Sequence, residues 1–179
     1  MNSIDKNLTW QTITLHWLTA ALFLATLAIG FYMVDLPKGE AKGLLISRHQ
    51  SLGAILLLIA SMRIAWRLKE GPISRMDHSD WQELLAKFTQ FLLLLFTVLM
   101  PVSGLMMSIS SGRGFSFFGQ QIFILGEKNE WLFTLASVTH HVSVNWVVLF
   151  VSLHVLGAIK RQYINNQNSL YRMFGNKDK

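Results

Sequence analysis

The sequence predicts an all-α membrane protein, a four-helix bundle whose transmembrane helices run alternately up and down. Three observations carry this expectation. Hydrophobic residues make up 51% of the chain and charged residues only 15%, against about a quarter charged in an ordinary soluble domain. Four apolar stretches are each able to cross the roughly 30 Å hydrocarbon core of a bilayer. The polar segments between them are short, which makes consecutive helices antiparallel neighbours. The 179 residues fit a single domain spanning 1–179, with no internal repeat or low-complexity tract.

The first helix is expected over about 8–34, because no charged side chain occurs from Asn7 to Val34. It lacks a basic leading segment and runs too long for a secretory leader, so it reads as a span. The second is expected over about 42–66. Its uncharged core, His49 to Met62, is short, and it becomes a span when Arg48 and Arg63 reach toward the two interfaces. The third, about 84–110, contains the uncharged run Phe88 to Gly112, with Pro101 expected to kink it and free a carbonyl near Thr97. The fourth, about 131–163, contains Trp131 to Ile159 without a single Lys, Arg, Asp or Glu. The connector from Lys69 to Trp81 holds Pro72 and Ser74, and the longer stretch from Arg113 to Glu130 has room for a short amphipathic segment.

Basic residues set the expected orientation. With the N-terminus inside, eleven of the 16 Lys and Arg lie on the inner side (Lys6, Arg63, Arg67, Lys69, Arg75, Lys87, Lys160, Arg161, Arg172, Lys177, Lys179). Lys38, Lys42, Arg48, Arg113 and Lys128 lie outside. This bias places both termini in the cytoplasm, with Trp10, Trp17, Trp66, Trp81, Trp131 and Tyr163 near the interfaces. The net charge of +6 therefore reflects topology and implies no nucleic-acid partner. The partner it implies is the lipid bilayer.

Absence of cysteine excludes disulfides, iron–sulfur clusters, thiolate zinc sites and covalent c-type haem, leaving histidine as the strong soft-metal ligand. His140 and His154 are fourteen residues apart, which returns a helix to within about 40° of its starting direction after a rise of about 21 Å. One face thus carries two imidazoles at two depths. By depth, His16 pairs with His154 toward the inside and His49 with His140 toward the outside. Each pair can supply two axial nitrogens to an iron held between helices. A bare zinc site needs its ligands at one depth, and a proton path more usually enlists Asp or Glu, which these spans lack. Two stacked haem irons fit better. His141 points about 140° away from the direction of His154, and His78 sits beside Asp77 and Asp80 as a solvated residue.

The same interval recurs from His16 to Gly30 and from His49 to Arg63. Gly30 is then expected at the outer haem level, where a missing side chain makes room for a macrocycle. Arg63 is expected at the inner level, suited to a propionate carboxylate. Gly53 and Gly104 serve either as similar clearances or as ordinary close helix packing.

The chain resembles the bacterial cytochrome b561 family of small di-haem inner-membrane proteins. The likeness rests on Thr14-Leu15-His16-Trp17-Leu18, His49-Gln50-Ser51-Leu52-Gly53, Arg63 and Trp66-Arg67, Met100-Pro101-Val102-Ser103-Gly104, His140, His154 and Leu170-Tyr171-Arg172-Met173. It covers nearly the whole chain and implies two non-covalent b-type haems ligated by His16, His154, His49 and His140. It also implies an oxidoreductase activity, foremost oxidation of superoxide at the periplasmic face coupled to ubiquinone reduction. Arg48, Lys42 and Arg113 are the expected outer cationic rim for an anionic substrate. The alternative is an electron relay or anchor subunit between quinone and a separate periplasmic redox protein, and a third is haem binding without turnover. Gln90 and Arg161 stand where relatives carry histidine, so no role of those histidines transfers.

Overall fold

A computed structural model describes residues 8–71, 80–123, 126–165 and 169–175. His78, and the basic residues Lys6, Arg75, Lys177 and Lys179, lie outside the described residues. Four long helices dominate: α1 (Trp10–Val34), α2 (Glu40–Glu70), α3 (Asp80–Ser110) and α4 (Glu130–Tyr163). All four are long and apolar enough to cross a membrane. A hairpin of β1 (Phe115–Phe117) and β2 (Gln120–Phe123) precedes α4, and the short α5 (Ser169–Met173) follows it.

Helix ends explain where the boundaries depart from the sequence expectation. Thr9 caps α1, its hydroxyl accepting from Thr12 N at 3.4 Å. At the other end of α1, Lys42 Nζ donates to Val34 O at 3.1 Å and Leu36 O at 2.8 Å, neutralising the helix's negative end. Helix α2 continues to Glu70, past Trp66, because the Glu70 carboxylate accepts from Thr9 Oγ1 at 2.6 Å and from Thr12 Oγ1. That pair staples the end of α2 to the start of α1. Asn129 caps α4 by accepting from Leu132 N at 3.0 Å, and its own N–H reaches Ser110 O at 2.9 Å, tying α3 to α4.

Close packing follows chain order, α1 on α2, α2 on α3 and α3 on α4, with a seam between α1 and α4. The buried apolar core is thin: Phe23, Leu56, Phe96, Met100 and Val147. Most other large apolar side chains, such as Leu24, Leu58, Phe91 and Leu156, face outward, the arrangement expected where lipid is the solvent. Three core residues bisect the fourteen-residue interval. Phe23 lies midway between His16 and Gly30, Leu56 between His49 and Arg63, and Val147 between His140 and His154. One apolar layer thus separates two polar levels.

The stretch expected to hold an amphipathic segment forms instead an antiparallel hairpin, with Phe117 paired to Gln120 across a turn at Phe118 and Gly119. Phe118 adopts φ 46°, a left-handed conformation uncommon for a residue with a side chain. It is held by Ser51 Oγ, which accepts from Phe118 N at 2.7 Å, while Ser47 Oγ accepts from Gly119 N at 2.8 Å. The turn is therefore seated on α2.

Candidate functional site

Both described chain ends lie at one end of the bundle, here the terminal end; the opposite is the distal end. The structure brings His16 of α1 to His154 of α4 across the seam at the terminal end, with ring centres 6.2 Å apart and planes at 53°. Toward the distal end it brings His49 of α2 to His140 of α4, with ring centres 6.1 Å apart and planes at 80°. All four imidazoles are half-buried. His141 turns away: it is exposed and bonds its own helix, donating from Nδ1 to Ser137 O at 2.7 Å.

Spacing of the rings tests what each pair can hold. Metal–imidazole bonds of about 2 Å on opposite sides of one metal put the ring centres about 6 Å apart. Both pairs match. Among the described residues no third His, Cys, Asp or Glu completes a metal-binding group at either level. Two protein nitrogens cannot satisfy a bare ion, so the remaining ligands must come from a group that brings its own, as the planar nitrogens of a haem do. The donor set fits that group and does not fit zinc.

Second partners differ between the levels. His49 donates from Nδ1 to Thr26 O at 3.0 Å. His140 donates from Nδ1 to Met100 O at 3.0 Å, with Ser103 Oγ also 3.0 Å away. These bonds fix the ring orientations and leave each Nε2 with its lone pair free. At the terminal end Arg63 Nη2 donates to His16 Nδ1 at 3.1 Å. Sequence reasoning gave Thr26 and Met100 no role at the site, since a backbone carbonyl carries no residue signature, and it placed Ser103 only within a family motif.

The glycines fall in two roles. A Cβ added to Gly30 would sit 3.2 Å from His49 Cε1, and one on Gly104 would sit 3.2 Å from His140 Cε1. Each glycine thus clears space for a distal imidazole. Gly53 meets Pro101 at 4.0 Å, in ordinary contact between α2 and α3. The cations of the expected outer rim also divide: Lys42 is engaged at the end of α1, whereas Arg48 and Arg113 are exposed.

At the terminal end, α5 crosses toward the seam. Trp17 Nε1 donates to Met173 O at 2.7 Å, Phe174 stacks on Trp17 with ring centres 5.0 Å apart, and Gln162 of α4 accepts from Leu170 N at 3.1 Å. The short helix links α4 to α1 beside His16.

The family profile described as prokaryotic cytochrome b561 matches residues 7–176. The chain is 26% identical over 168 residues, covering 89% of this chain and 87% of the relative, to the protein named cytochrome b561 homolog 2 of Escherichia coli (strain K12). It is 25% identical over 175 residues, covering 97% of each chain, to cytochrome b561 homolog 1 of the same organism. With four membrane-length helices and a match along nearly its full length, the chain belongs to the prokaryotic cytochrome b561 family and is a multi-pass membrane electron-transfer protein of the haem b type.

Proposed function

We propose that the protein carries electrons across the inner membrane between two haems b, one held by His49 and His140 and the other by His16 and His154. The observation that carries this reading is the recurrence of an imidazole pair, at about 6 Å between ring centres, at two levels of one bundle. Haem b supplies a one-electron iron couple when bound. The chain's part would be to supply the two imidazoles of each pair to the iron. It also surrounds both centres with apolar side chains and orients the distal rings through the Thr26 and Met100 carbonyls. Redox titration of the absorption spectrum, with haem quantified per chain, tests this. Two low-spin b-type centres are expected, and a single centre defeats the reading.

The proposed substrates are superoxide at the periplasmic, distal face and ubiquinone as the acceptor, with both termini cytoplasmic. Two superoxide anions each give up one electron and leave as dioxygen, and one quinone takes both electrons with two protons. Exposed Arg48 and Arg113 support capture of an anion at that face, while Lys42 is engaged elsewhere. Membranes given a superoxide source and ubiquinone decide the point: superoxide loss that depends on both quinone and haem is expected, and its absence ends the superoxide reading.

A second reading is favoured by the hairpin, which exposes Phe117, Phe118 and Ile122 on the distal face. Such an apolar tip suits a separate periplasmic redox protein, to which the chain would relay electrons from quinone. Copurification of a redox partner that is lost on Phe118→Ser would support this relay. Retention of full superoxide activity by the isolated chain counts against it.

A further inference from the structure

Arg63 stands alone among the groups that contact the four histidines. A guanidinium has five N–H donors, no acceptor, and keeps its proton in proteins. At 3.1 Å from Arg63 Nη2, His16 Nδ1 must therefore be the acceptor. A neutral imidazole whose Nδ1 accepts carries its one proton on Nε2, so that nitrogen has no lone pair for a metal. His49 and His140 are in the opposite state, with Nδ1–H donated to carbonyls and Nε2 free. As folded, the distal pair is ready for a metal and His16 is not.

The charge of Arg63 has no acidic partner among the described residues. Glu70 is nearly two turns away on the same helix and is engaged by Thr9 and Thr12. An unpaired charge in an apolar span is costly and draws an anion. A carboxylate meets a guanidinium by two parallel charge-assisted bonds, stronger than the single bond to a neutral ring.

We propose that Arg63 is a latch on the terminal-end site, holding His16 in a tautomer that cannot bind metal until a carboxylate of the incoming macrocycle takes the guanidinium. The proton of His16 then passes from Nε2 to Nδ1, with no net gain or loss of protons, and Nε2 is freed. This rests on the two-haem reading and adds an order and a selectivity to it. The distal site accepts a macrocycle whether or not it carries free carboxylates. The terminal-end site accepts only one that does, and it fills second.

The test titrates the full-length chain, produced without haem and held in detergent micelles, with haem b or with its dimethyl ester, whose carboxylates are capped. Low-spin absorption reports each uptake. Two equivalents of haem b are expected, but one of the ester, with the second ester bound at least tenfold more weakly. Arg63→Leu restores the second ester. His140→Ala, which keeps Arg63, binds the ester at least tenfold more weakly than haem b, whereas His154→Ala binds both alike. Equal affinity of His140→Ala for the two macrocycles overturns the latch, whatever Arg63→Leu does to folding. Uptake of two tight esters by the unaltered chain overturns it as well. Failure of haem b itself to fill two sites sinks the two-haem reading, so the two failures are told apart.

Discussion

The distal and terminal-end pairs have nearly the same ring separation, 6.1 Å and 6.2 Å, but are built by different means. The distal pair is clamped: two carbonyls orient its rings, and Gly30 and Gly104 stand close against them. The terminal-end pair bridges the open seam between α1 and α4, faces a charge, and is closed over by α5. One site is oriented by backbone groups, the other is assembled from side chains alone. Backbone placement costs no reorganisation when a ligand arrives, so the two sites respond differently to substitution.

Removing a ligand gives the largest effect. Replacing His49 or His140 by Ala is expected to halve the haem per chain and remove the distal centre, and replacing His16 or His154 the other. His141→Ala leaves both, and haem quantification with the spectrum checks all five. Next come the clearances. Gly104→Val and Gly30→Val drive a side chain into a distal imidazole and cost about 1–3 kcal/mol through overpacking, seen as faster haem loss from the distal centre alone. Gly53→Ala, whose Cβ would meet Pro101 in ordinary contact at 4.0 Å, is expected to lose nothing. If both centres weaken equally in the Gly104 variant, the clamped-versus-assembled contrast is wrong.

Ser103→Ala sharpens the contrast further. It removes one of two groups at His140 Nδ1 and leaves Met100 O. Outer-sphere losses at metal ligands typically cost about 10–100-fold in affinity. With one acceptor retained, the low end of that range is expected, measured as haem dissociation from the distal site. Glu70→Gln weakens the staple between α1 and α2 by about 1–2 kcal/mol, and thermal bleaching is expected to begin at the terminal-end centre. Lys42→Met has the smallest effect, about 0.5–1 kcal/mol at the end of α1. It is expected to leave the proposed superoxide turnover unchanged, whereas on that proposal Arg48→Gln slows it at low ionic strength.

Much of this was legible because membrane insertion leaves strong marks. Long runs without charge located four helices, and a fourteen-residue interval on one helix gave the heights at which His16, His49, His140 and His154 meet their partners. The rest depended on atoms that residue names do not reveal. Thr26 and Met100 act through carbonyls. The extension of α2 to Glu70 needs two threonines from another helix, and the role of Lys42 appears only when α1 ends beside it. The hairpin was hidden because its turn needs positive φ at two successive residues, and one of them is Phe118 rather than a second glycine beside Gly119. Only the seat provided by Ser47 and Ser51 makes that conformation tenable.

The layer of Phe23, Leu56 and Val147 bears on energy coupling. None of these three side chains carries a proton, so the layer itself offers no compensating cation to an electron passing between the proposed centres. The two ligand levels are about 21 Å apart in height along one helix, within a core of about 30 Å, so a crossing between them traverses some two-thirds of the transmembrane voltage. At about 2.3 kcal/mol per charge per 100 mV, that is roughly 1.6 kcal/mol for every 100 mV. On the proposed two-haem reading, with the termini cytoplasmic, electron transfer is then electrogenic, and flow toward the terminal end slows as the membrane becomes more polarised.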